Sequence, residues 1–250
     1  MFDIENPLVI AATSDIHGCL EGIQEVCATG KVDILVIAGD IEPADIIVSK
    51  PYWFEHKFFN LISKLDCEVI AIPGNHDFWL SSKYLAITRN ENNVYPRNFH
   101  LLIDEEITVK GLRFYGSPWV PFINGGWCFE EEDDDLIDRF NMIPDGVDVL
   151  ISHSPPMLRY KAIDISMDYP SEHQRHFGSR SLTKAISVKM PKVVLCGHIH
   201  SGDHGCNSIA TGLNSQYTLA WNVSRVNERY RIAYKIKLLE FNPDCIREMD

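Results

Sequence analysis

The stretch VDILVIAGD, residues 32–40, decides the fold of this chain. Its apolar run, interrupted only by Asp33, is typical of a buried β-strand, and Gly39-Asp40 ends the run in a turn. Similar runs lie on either side of it, at Leu8–Thr13 and at Val69–Ile72, and each is followed by polar residues. Buried strands that alternate with helical segments predict an α/β fold.

The remaining pattern extends this prediction along the chain. Helices are predicted over Gly18–Thr29, Pro51–Leu65, Glu131–Phe140 and Ser181–Lys189. Further strands are predicted over Val147–Ser152, Val193–Cys196, Thr218–Val223 and Ile232–Leu239, with a hairpin around Lys110-Gly111 within Leu101–Tyr115. The chain contains no internal repeat and no low-complexity linker, so residues 1–250 are predicted to form one domain.

The overall charge argues against one class of partner. The 250 residues carry a formal net charge of −12, and no two Lys or Arg residues are adjacent. A long nucleic acid is therefore a disfavoured partner, because binding a phosphate backbone needs clustered cations. A small anion remains possible, since a bound metal ion can override the charge of the surrounding protein.

The cysteines and the hydropathy of the sequence indicate in which cellular compartment the protein is located. The seven cysteines are odd in number and include no Cys-x-x-Cys, which argues against a disulfide framework and against a Cys-rich zinc site. No signal peptide is apparent, and no apolar run approaches the ~20 residues needed to span a bilayer. These features predict a cytoplasmic protein with reduced thiols and no membrane partner.

Five polar clusters follow predicted strands, and they contain the candidate functional residues. They are Asp15-Ile16-His17, Gly39-Asp40, Gly74-Asn75-His76-Asp77, His153 and Gly197-His198-Ile199-His200. Ligands of α/β proteins gather at the carboxyl ends of the strands, so these side chains are expected to converge. Each cluster alone has a purely structural alternative, namely a helix N-cap, a tight turn or a core histidine. The argument for a functional site is their conjunction.

Two divalent metal ions that share one carboxylate fit the side chains on offer. In this arrangement Asp40 bridges the metals, Asp15, His17 and His200 complete one site, and three further residues complete the other. Those three are Asn75, His153 and His198. A hydroxide between the metals would attack a phosphate ester in line. Mixed nitrogen and oxygen ligands fit Mn, Fe, Zn, Co or Ni and do not select among them. Mn is the metal we favour.

Two residues of the third cluster are candidates for catalysis. His76 is not needed as a metal ligand and can protonate the departing oxygen as a general acid. Asp77 is adjacent to it and can orient the imidazole or stabilise its charged form. The structural alternative for Asp77 is a cap on the helix that follows.

Taken together, these motifs resemble the calcineurin-like metallophosphoesterase superfamily. Asp15-x-His17, Gly39-Asp40, Gly74-Asn75-His76-Asp77, His153 and Gly197-His198-x-His200 stand in the superfamily order, over residues 9–200. The resemblance implies a four-layer α/β/β/α sandwich with mixed sheets and a dinuclear metal site at the carboxyl ends of the strands. It implies the same ligand set, and a catalytic or phosphate-contacting role for His76.

A closer resemblance is to the metallophosphoesterase-domain-containing branch, whose characterised members hydrolyse phosphodiesters, including cyclic nucleotides. It is carried by Tyr115-Gly116-Ser117-Pro118-Trp119, by Ile143-Pro144 leading into Val147–Pro156, and by Pro191–His200. The chain departs from the branch at Asp77, where Glu is usual, and at Ser154, where Gly is usual. Ile41-Glu42-Pro43 replaces the Arg-bearing motif of protein Ser/Thr phosphatases, which argues against a protein phosphatase.

The resulting prediction is a metal-dependent phosphodiesterase that acts on a small phosphoester substrate resembling a cyclic nucleotide. A phosphomonoesterase and a nuclease of the same superfamily remain alternatives, and so does a non-catalytic metal-binding scaffold. Two long irregular segments, Gly116–Glu130 and Ser154–Ser179, have no assigned role. Trp119, Phe122 and Trp127 in the first of them could stack on a planar leaving group or simply pack the loop.

Overall fold

Two six-stranded sheets form the centre of the computed structural model, which describes residues 7–81, 95–158, 166–169, 175–211, 216–242 and 245–249. The strands of the first sheet are β1 (Leu8–Thr13), β2 (Ile34–Ala38), β3 (Glu68–Ile72), β4 (Phe99–Leu101), β13 (Lys237–Asn242) and β14 (Cys245–Glu248). Those of the second are β5 (Glu105–Val109), β6 (Leu112–Ser117), β9 (Val149–Ser152), β10 (Val193–Cys196), β11 (Asn207–Thr211) and β12 (Gln216–Asn222). A separate two-stranded sheet joins β7 (Val120–Pro121) to β8 (Glu130–Glu131).

Both sheets are mixed, with parallel strands at their centres. The first has the order β14-β13-β1-β2-β3-β4, in which β1 to β4 are parallel and β13 and β14 run antiparallel at one edge. The second has the order β11-β12-β10-β9-β6-β5, with antiparallel strands at its two edges. The central parallel strands of each sheet therefore end at a common edge.

The two sheets pack face to face, and side-chain alternation along the strands explains why. Ile34 and Val36 of β2 lie in the same buried cluster as Val149 and Ile151 of β9. Leu35 on β2 instead faces the outer side of the first sheet. Because both faces of the strand are buried, its sequence is a continuous apolar run rather than an alternating one.

Helices cover the outer faces. The first sheet packs against α1 (Ile23–Cys27), α2 (Lys50–Trp53), a π-helical turn (Phe54–Phe58) and α3 (Phe59–Ile62). The second sheet packs against α4 (Leu136–Asn141) and α5 (Arg180–Lys189). The layers therefore follow the order α/β/β/α, and the predicted four-layer sandwich with mixed sheets is confirmed. The prediction of one domain stays a prediction.

The predicted helices differ from the observed ones at their ends. The helix predicted over Gly18–Thr29 is shorter, at Ile23–Cys27, because Gly18 and Gly22 have φ of 86° and 79° and form turns. The helix predicted over Glu131–Phe140 begins only at Leu136. The acidic segment before it includes Asp133, which accepts hydrogen bonds from Ser179 and Ser181 at the start of α5. A tertiary contact thus replaces the first helical turn.

The strand predicted over Ile232–Leu239 is wrong over residues 232–236. β13 begins at Lys237. Upstream of it, the backbone N–H groups of Ala233 and Tyr234 both donate to the carbonyl of Arg225 at 3.1 and 3.2 Å. These bonds hold the segment against a loop instead of a sheet, so its apolar alternation does not produce a strand. The edge strands β11 and β14 were not predicted.

Candidate metal centre

The five polar clusters of the sequence meet at one edge of the molecule. Three of them follow β1, β2 and β3 of the first sheet, and two follow β9 and β10 of the second. Hydrogen bonds join the clusters directly, from Asp15 N to the Gly39 carbonyl at 2.9 Å and from Gly197 N to the His153 carbonyl at 3.0 Å. Across the two sheets, His198 N donates to Asp15 Oδ1 at 3.1 Å. The two sheets therefore contribute to a single site.

The backbone at these clusters is unusual. Asp15, His17, Asp40 and His198 all have positive φ values, between 41° and 68°. The left-handed region is costly for residues other than glycine, and such residues cluster at functional sites. The conformation turns successive polar side chains back toward the edge of the sheets.

Glycines allow the loops to approach one another. A Cβ atom on Gly197 would lie 2.0 Å from Ser14 Oγ and 2.3 Å from Asp15 Oδ2. One on Gly74 would lie 2.2 Å from Asp40 Oδ1. Both positions accept only glycine, because any side chain would displace a candidate ligand.

We expect Gly197→Ala to destabilise the fold by about 1–3 kcal/mol, since the new methyl group overlaps the Ser14 and Asp15 side chains. Metal binding should weaken as well, because Asp15 must move. Urea denaturation with metal titration measures both effects. Gly126→Ala is the matched control, since a Cβ atom there meets only the Asn124 side-chain oxygen at 3.2 Å. Equal stability of the two variants would contradict this account of the loop.

Asp15, His17 and His200 form the first candidate ligand group. All three are buried, and one potential ligand atom from each lies within 4.8 Å of the others. His200 Nε2 is 3.3 Å from Asp15 Oδ1. His200 Nδ1 lies 3.2 Å from the Asn227 carbonyl and can donate to it, which leaves Nε2 available to coordinate a metal. Neither ring nitrogen of His17 has a hydrogen-bond partner, although both are buried.

Asp40, His153 and Asn75 converge on a second point. His153 Nε2 lies 3.3 Å from Asp40 Oδ1 and 3.0 Å from Asn75 Oδ1. His153 Nδ1 is 2.8 Å from the Ala38 carbonyl, so donation there again leaves Nε2 directed at the site. One potential ligand atom from each of Asp15, Asp40 and His153 also lies within 4.8 Å of the other two.

Asp40 faces both groups at once. Its Oδ1 is the oxygen near His153, whereas its Oδ2 lies 3.6 Å from His17 Nε2. His198, the last predicted ligand, is half-buried, and its ring centroid is 5.2 Å from that of His153. Among the described histidines predicted as ligands, it is the one that belongs to neither group of converging atoms.

The histidines divide into two electrostatic classes. Burial lowers the pKa of His17 to about 4, and burial with the neighbouring His153 lowers that of His198 to about 3. Burial also opposes a charge on His153 and His200, but Asp40 and Asp15 respectively outweigh it and raise both pKa values to about 9. Without metal, protons on these two imidazoles neutralise the paired carboxylates.

A divalent metal fits this set of donors. Both ring nitrogens of His17 are buried polar atoms without a hydrogen-bond partner, and a cation bound to the unprotonated nitrogen would satisfy one of them. The imidazoles of His153 and His200 already direct Nε2 toward carboxylate or amide oxygens. A metal ion would replace the protons of these two side chains, since coordinated imidazole is neutral. Imidazole, carboxylate and amide donors together suit transition metals rather than Ca²⁺.

His76 and Asp77 occupy different positions, although they are adjacent in the chain. The His76 ring is partly exposed and lies beside the centre, 4.9 Å from the His17 ring between centroids. Its backbone N–H donates to Asp40 Oδ1 at 2.9 Å. Burial lowers its pKa, with neighbouring charges on His153 and His200 adding to the effect.

Asp77 is fully buried and bonded to the backbone. Its carboxylate accepts hydrogen bonds from the N–H groups of Ile41 at 2.8 Å, Glu42 at 2.7 Å and Gly74 at 2.7 Å. Burial, with Asp40 and Glu42 nearby, raises its pKa to about 8 against the effect of these donors. The side chain therefore joins the loop after β2 to the loop after β3. This is a positioning role, and it differs from the predicted contact with His76.

We expect Asp77→Ala to destabilise the protein by at least ~2 kcal/mol, because it leaves three buried N–H groups without a partner. Turnover at saturating metal should fall far less than it does when His76 is replaced. Thermal denaturation and kcat measurements test this pair of effects, with the exposed Asp134→Ala as control. A large loss of kcat at unchanged stability would instead support a catalytic role for Asp77.

Residues at and after the end of β12 complete the site, and the sequence analysis assigned them no role. Ser224 Oγ donates to Asp15 Oδ2 at 2.8 Å. Asn222 is fully buried and donates to the Ile199 carbonyl at 2.7 Å, within the loop that carries His198 and His200. The Tyr230 ring lies 4.6 Å from the His17 ring between centroids. β12 is parallel to β10, so the rule used for the other strand ends applied here too.

The aromatic residues of the Gly116–Glu130 segment have separate environments. Trp119 packs in the fold, with its Nε1 donating to Asp104 at 2.7 Å and Arg139 lying over its ring at 4.0 Å. Trp127 instead contacts the His76 ring, at 4.3 Å between centroids. Phe122 is half exposed. Much of the Ser154–Ser179 segment lies outside the described residues.

Comparison with known proteins identifies the family. The model of the calcineurin-like phosphoesterase family matches residues 8–202. This chain belongs to the calcineurin-like phosphoesterase family. The matched region contains every strand end that contributes a predicted ligand, and the resemblance drawn from the motifs is confirmed.

Curated relatives support the branch as well. Metallophosphoesterase domain-containing protein 1 of Homo sapiens is 28% identical over 214 residues, which cover 76% of this chain and 59% of that protein. UPF0046 protein T07D4.2 of Caenorhabditis elegans is 26% identical over 221 residues, which cover 76% of this chain and 52% of that protein. This calcineurin-like phosphoesterase chain thus matches little more than half the length of these relatives.

Solved structures share the fold of this family member. TT1561 of Thermus thermophilus superimposes with a TM-score of 0.64 at 15% identity, covering 98% of this chain and 99% of its own. Another solved structure has a TM-score of 0.68 at 18% identity, covering 97% and 98%. Within the described part of the chain, no helix combines the length and hydropathy that crossing a bilayer requires.

Proposed function

We propose that this protein is a phosphodiesterase that hydrolyses small phosphodiesters with the help of two divalent metal ions. Membership of a phosphoesterase family and the two groups of candidate ligands support metal-dependent hydrolysis of phosphoesters. The observation that carries the dinuclear proposal is the orientation of Asp40. Its two oxygens face histidines of different groups, as a bridging carboxylate requires.

The proposed ligand set is that of the sequence analysis. Asp15, His17 and His200 would hold one metal, Asn75, His153 and His198 the other, and Asp40 both. Bound metals would supply an activated hydroxide and the positive charge that stabilises the transition state. Manganese is the proposed ion.

The protein's own side chains would perform the remaining steps. The bond from phosphorus to the incoming oxygen forms as the bond to the leaving oxygen breaks. His76 lies at the side of the centre and would donate its proton to the leaving oxygen. His200, oriented by the Asn227 carbonyl, and His153, oriented by the Ala38 carbonyl, would keep the ligand geometry fixed throughout.

Parallel assays of a diester and a monoester test the substrate class. Purified protein stripped with a chelator and then given Mn²⁺ should hydrolyse bis(4-nitrophenyl) phosphate faster than 4-nitrophenyl phosphate. Turnover of the monoester alone would refute the diester assignment. Equal rates with and without chelator would refute the metal-dependent mechanism.

The biological setting is also a proposal. All seven cysteines are free thiols, which suits a reducing compartment, and we propose a cytoplasmic location. The formal net charge of −12 supports a small phosphoester rather than a long nucleic acid as substrate.

A further inference from the structure

A cleft of about 510 Å³ opens beside His76. Among the described residues, the charged or polar side chains that line it are His76, Tyr230, Glu42 and Lys50. The side chains of Glu42 and Lys50 are both bound to the backbone. Glu42 accepts from the N–H groups of Trp79 and Leu80, and the Lys50 ammonium donates to the carbonyls of Pro43 and Asp45. The cleft thus offers mainly apolar and aromatic surface.

Trp127 and Phe78 supply aromatic faces next to the proposed acid. The Trp127 ring lies 4.3 Å from the His76 ring and 6.1 Å from the Phe78 ring between centroids. Phe78 is 46% exposed and lines the cleft. Aromatic rings packed in this way present large, rigid faces for a planar group.

Tyr230 adds a third aromatic face, and a tight turn fixes its position. Its φ is 55°, a left-handed conformation that is rare for a bulky residue and needs support from its surroundings. Asn227 provides that support. Its carbonyl accepts from Tyr230 N at 2.8 Å, and its side-chain oxygen accepts from Arg229 N at 3.0 Å.

The same turn ties Tyr230 to the candidate metal centre. The Asn227 carbonyl is also the oxygen that His200 Nδ1 meets, at 3.2 Å. The Tyr230 ring lies 6.3 Å from the His76 ring and 4.6 Å from the His17 ring between centroids. The Tyr230 ring is therefore close to both the candidate ligand His17 and the proposed acid His76, where it can contact the leaving group of a substrate.

We infer that this cleft binds the leaving group, and that Trp127 and Tyr230 select phosphodiesters whose leaving group is a planar, uncharged aromatic alcohol. The inference rests on the proposed phosphodiesterase function. It follows from position and chemistry together, because the proton donated by His76 must reach the leaving oxygen, and the space next to His76 is lined by aromatic rings. Trp127 and Tyr230 are thus specificity-determining residues.

Binding of two small anions tests the cleft without any turnover. Phenylphosphonate and methylphosphonate carry the same anionic group and differ in having a ring or a methyl group. Calorimetry on the manganese-loaded protein should show phenylphosphonate binding about tenfold more tightly. Trp127→Leu and Tyr230→Leu should each remove most of this preference, measured as the ratio of the two dissociation constants within each variant. Tyr230→Phe should keep the preference, since the ring provides the contact.

Kinetics then assign the cleft to the leaving group. In both leucine variants, kcat/KM on bis(4-nitrophenyl) phosphate should fall about tenfold further than kcat/KM on bis(2,2,2-trifluoroethyl) phosphate. Tyr217→Leu, a change at a 60% exposed tyrosine on β12, is the control. Equal losses on the two diesters, or no ring preference in binding, would overturn the inference. Absence of turnover on both diesters in the unmodified protein would instead refute the proposed function.

Discussion

Replacing Asp40 with Asn is expected to lower kcat/KM on bis(4-nitrophenyl) phosphate by at least ~10³-fold. The two proposed metals would stabilise the transition state by several kcal/mol, and about 1.36 kcal/mol corresponds to a factor of ten in rate. Asp40 is the predicted ligand whose two oxygens face histidines of both groups. An amide in its place keeps the shape but removes the shared negative charge.

Metal content separates this explanation from a simple loss of folding. Elemental analysis should find fewer than two metals per chain in the Asp40→Asn variant, while its circular dichroism spectrum remains that of the unmodified protein. Asp145→Asn is the matched control, because the Asp145 side chain is 82% exposed on the surface. An Asp40→Asn variant with full metal content and full activity would refute the bridging role.

The effect depends on contacts between loops that are far apart in the chain. Asp40 lies in the loop after β2, and the backbone N–H of His76, after β3, donates to its Oδ1. Asp77 then binds the N–H of Ile41, one residue beyond Asp40. The two loops therefore fix each other's geometry. A ligand and a proposed acid that share such contacts are positioned relative to each other before any substrate arrives.

The central strands were the most predictable part of the fold. β1 and β10 have the bounds that their apolar runs predicted, Leu8–Thr13 and Val193–Cys196. Strands buried on both faces have a strong signal, because nearly every position is apolar. The edge strands β11 and β14 were missed. β11 has the polar residues Asn207 and Thr211 on its buried face, and β14 is mostly exposed, so neither strand has an apolar run and both depend on pairing with β12 and β13.

Helix ends and the segment before β13 show the limits of local pattern. The turns at Gly18 and Gly22 depend on positive φ values that composition alone does not reveal. A Cβ atom on Gly18 would lie 3.0 Å from Pro43, a contact made only in the folded chain. The apolar alternation over Ile232–Leu239 likewise predicted a strand, but the Arg225 guanidinium donates to the Tyr234 carbonyl and holds this segment outside the sheet.

Convergence at the site was predictable, because parallel strands end at one edge. The clusters after β1, β2, β3, β9 and β10 were expected to meet, and they do. Their roles as ligands stay a prediction. Tyr230 could not be found in this way, since it lies eight positions beyond the end of β12 and reaches the site only through its left-handed turn. The predicted role of Asp77 beside His76 stays a prediction. The sequence did not indicate that the Asp77 carboxylate accepts hydrogen bonds from three backbone N–H groups.

Replacing His76 with Ala is expected to lower kcat by roughly 10²–10⁴ while the bound metal is retained. The His76 ring is not a member of either ligand group and lies beside the centre, with its centroid 4.3 Å from that of Trp127 and 4.9 Å from that of His17. Its removal should therefore leave metal content and stability nearly unchanged. His56→Ala is the matched control, because His56 is an exposed histidine stacked on Tyr52 at 4.2 Å.

The dependence on the leaving group distinguishes a proton donor from a phosphate contact. A general acid matters most when the departing oxygen is basic, so His76→Ala should harm diphenyl phosphate hydrolysis more than bis(4-nitrophenyl) phosphate hydrolysis. The lowered pKa of His76 also gives a direction for pH. Since an acid must be protonated, kcat/KM should fall as pH rises through that pKa, and the variant should lack this fall. Equal losses on both diesters would assign His76 to binding phosphate instead.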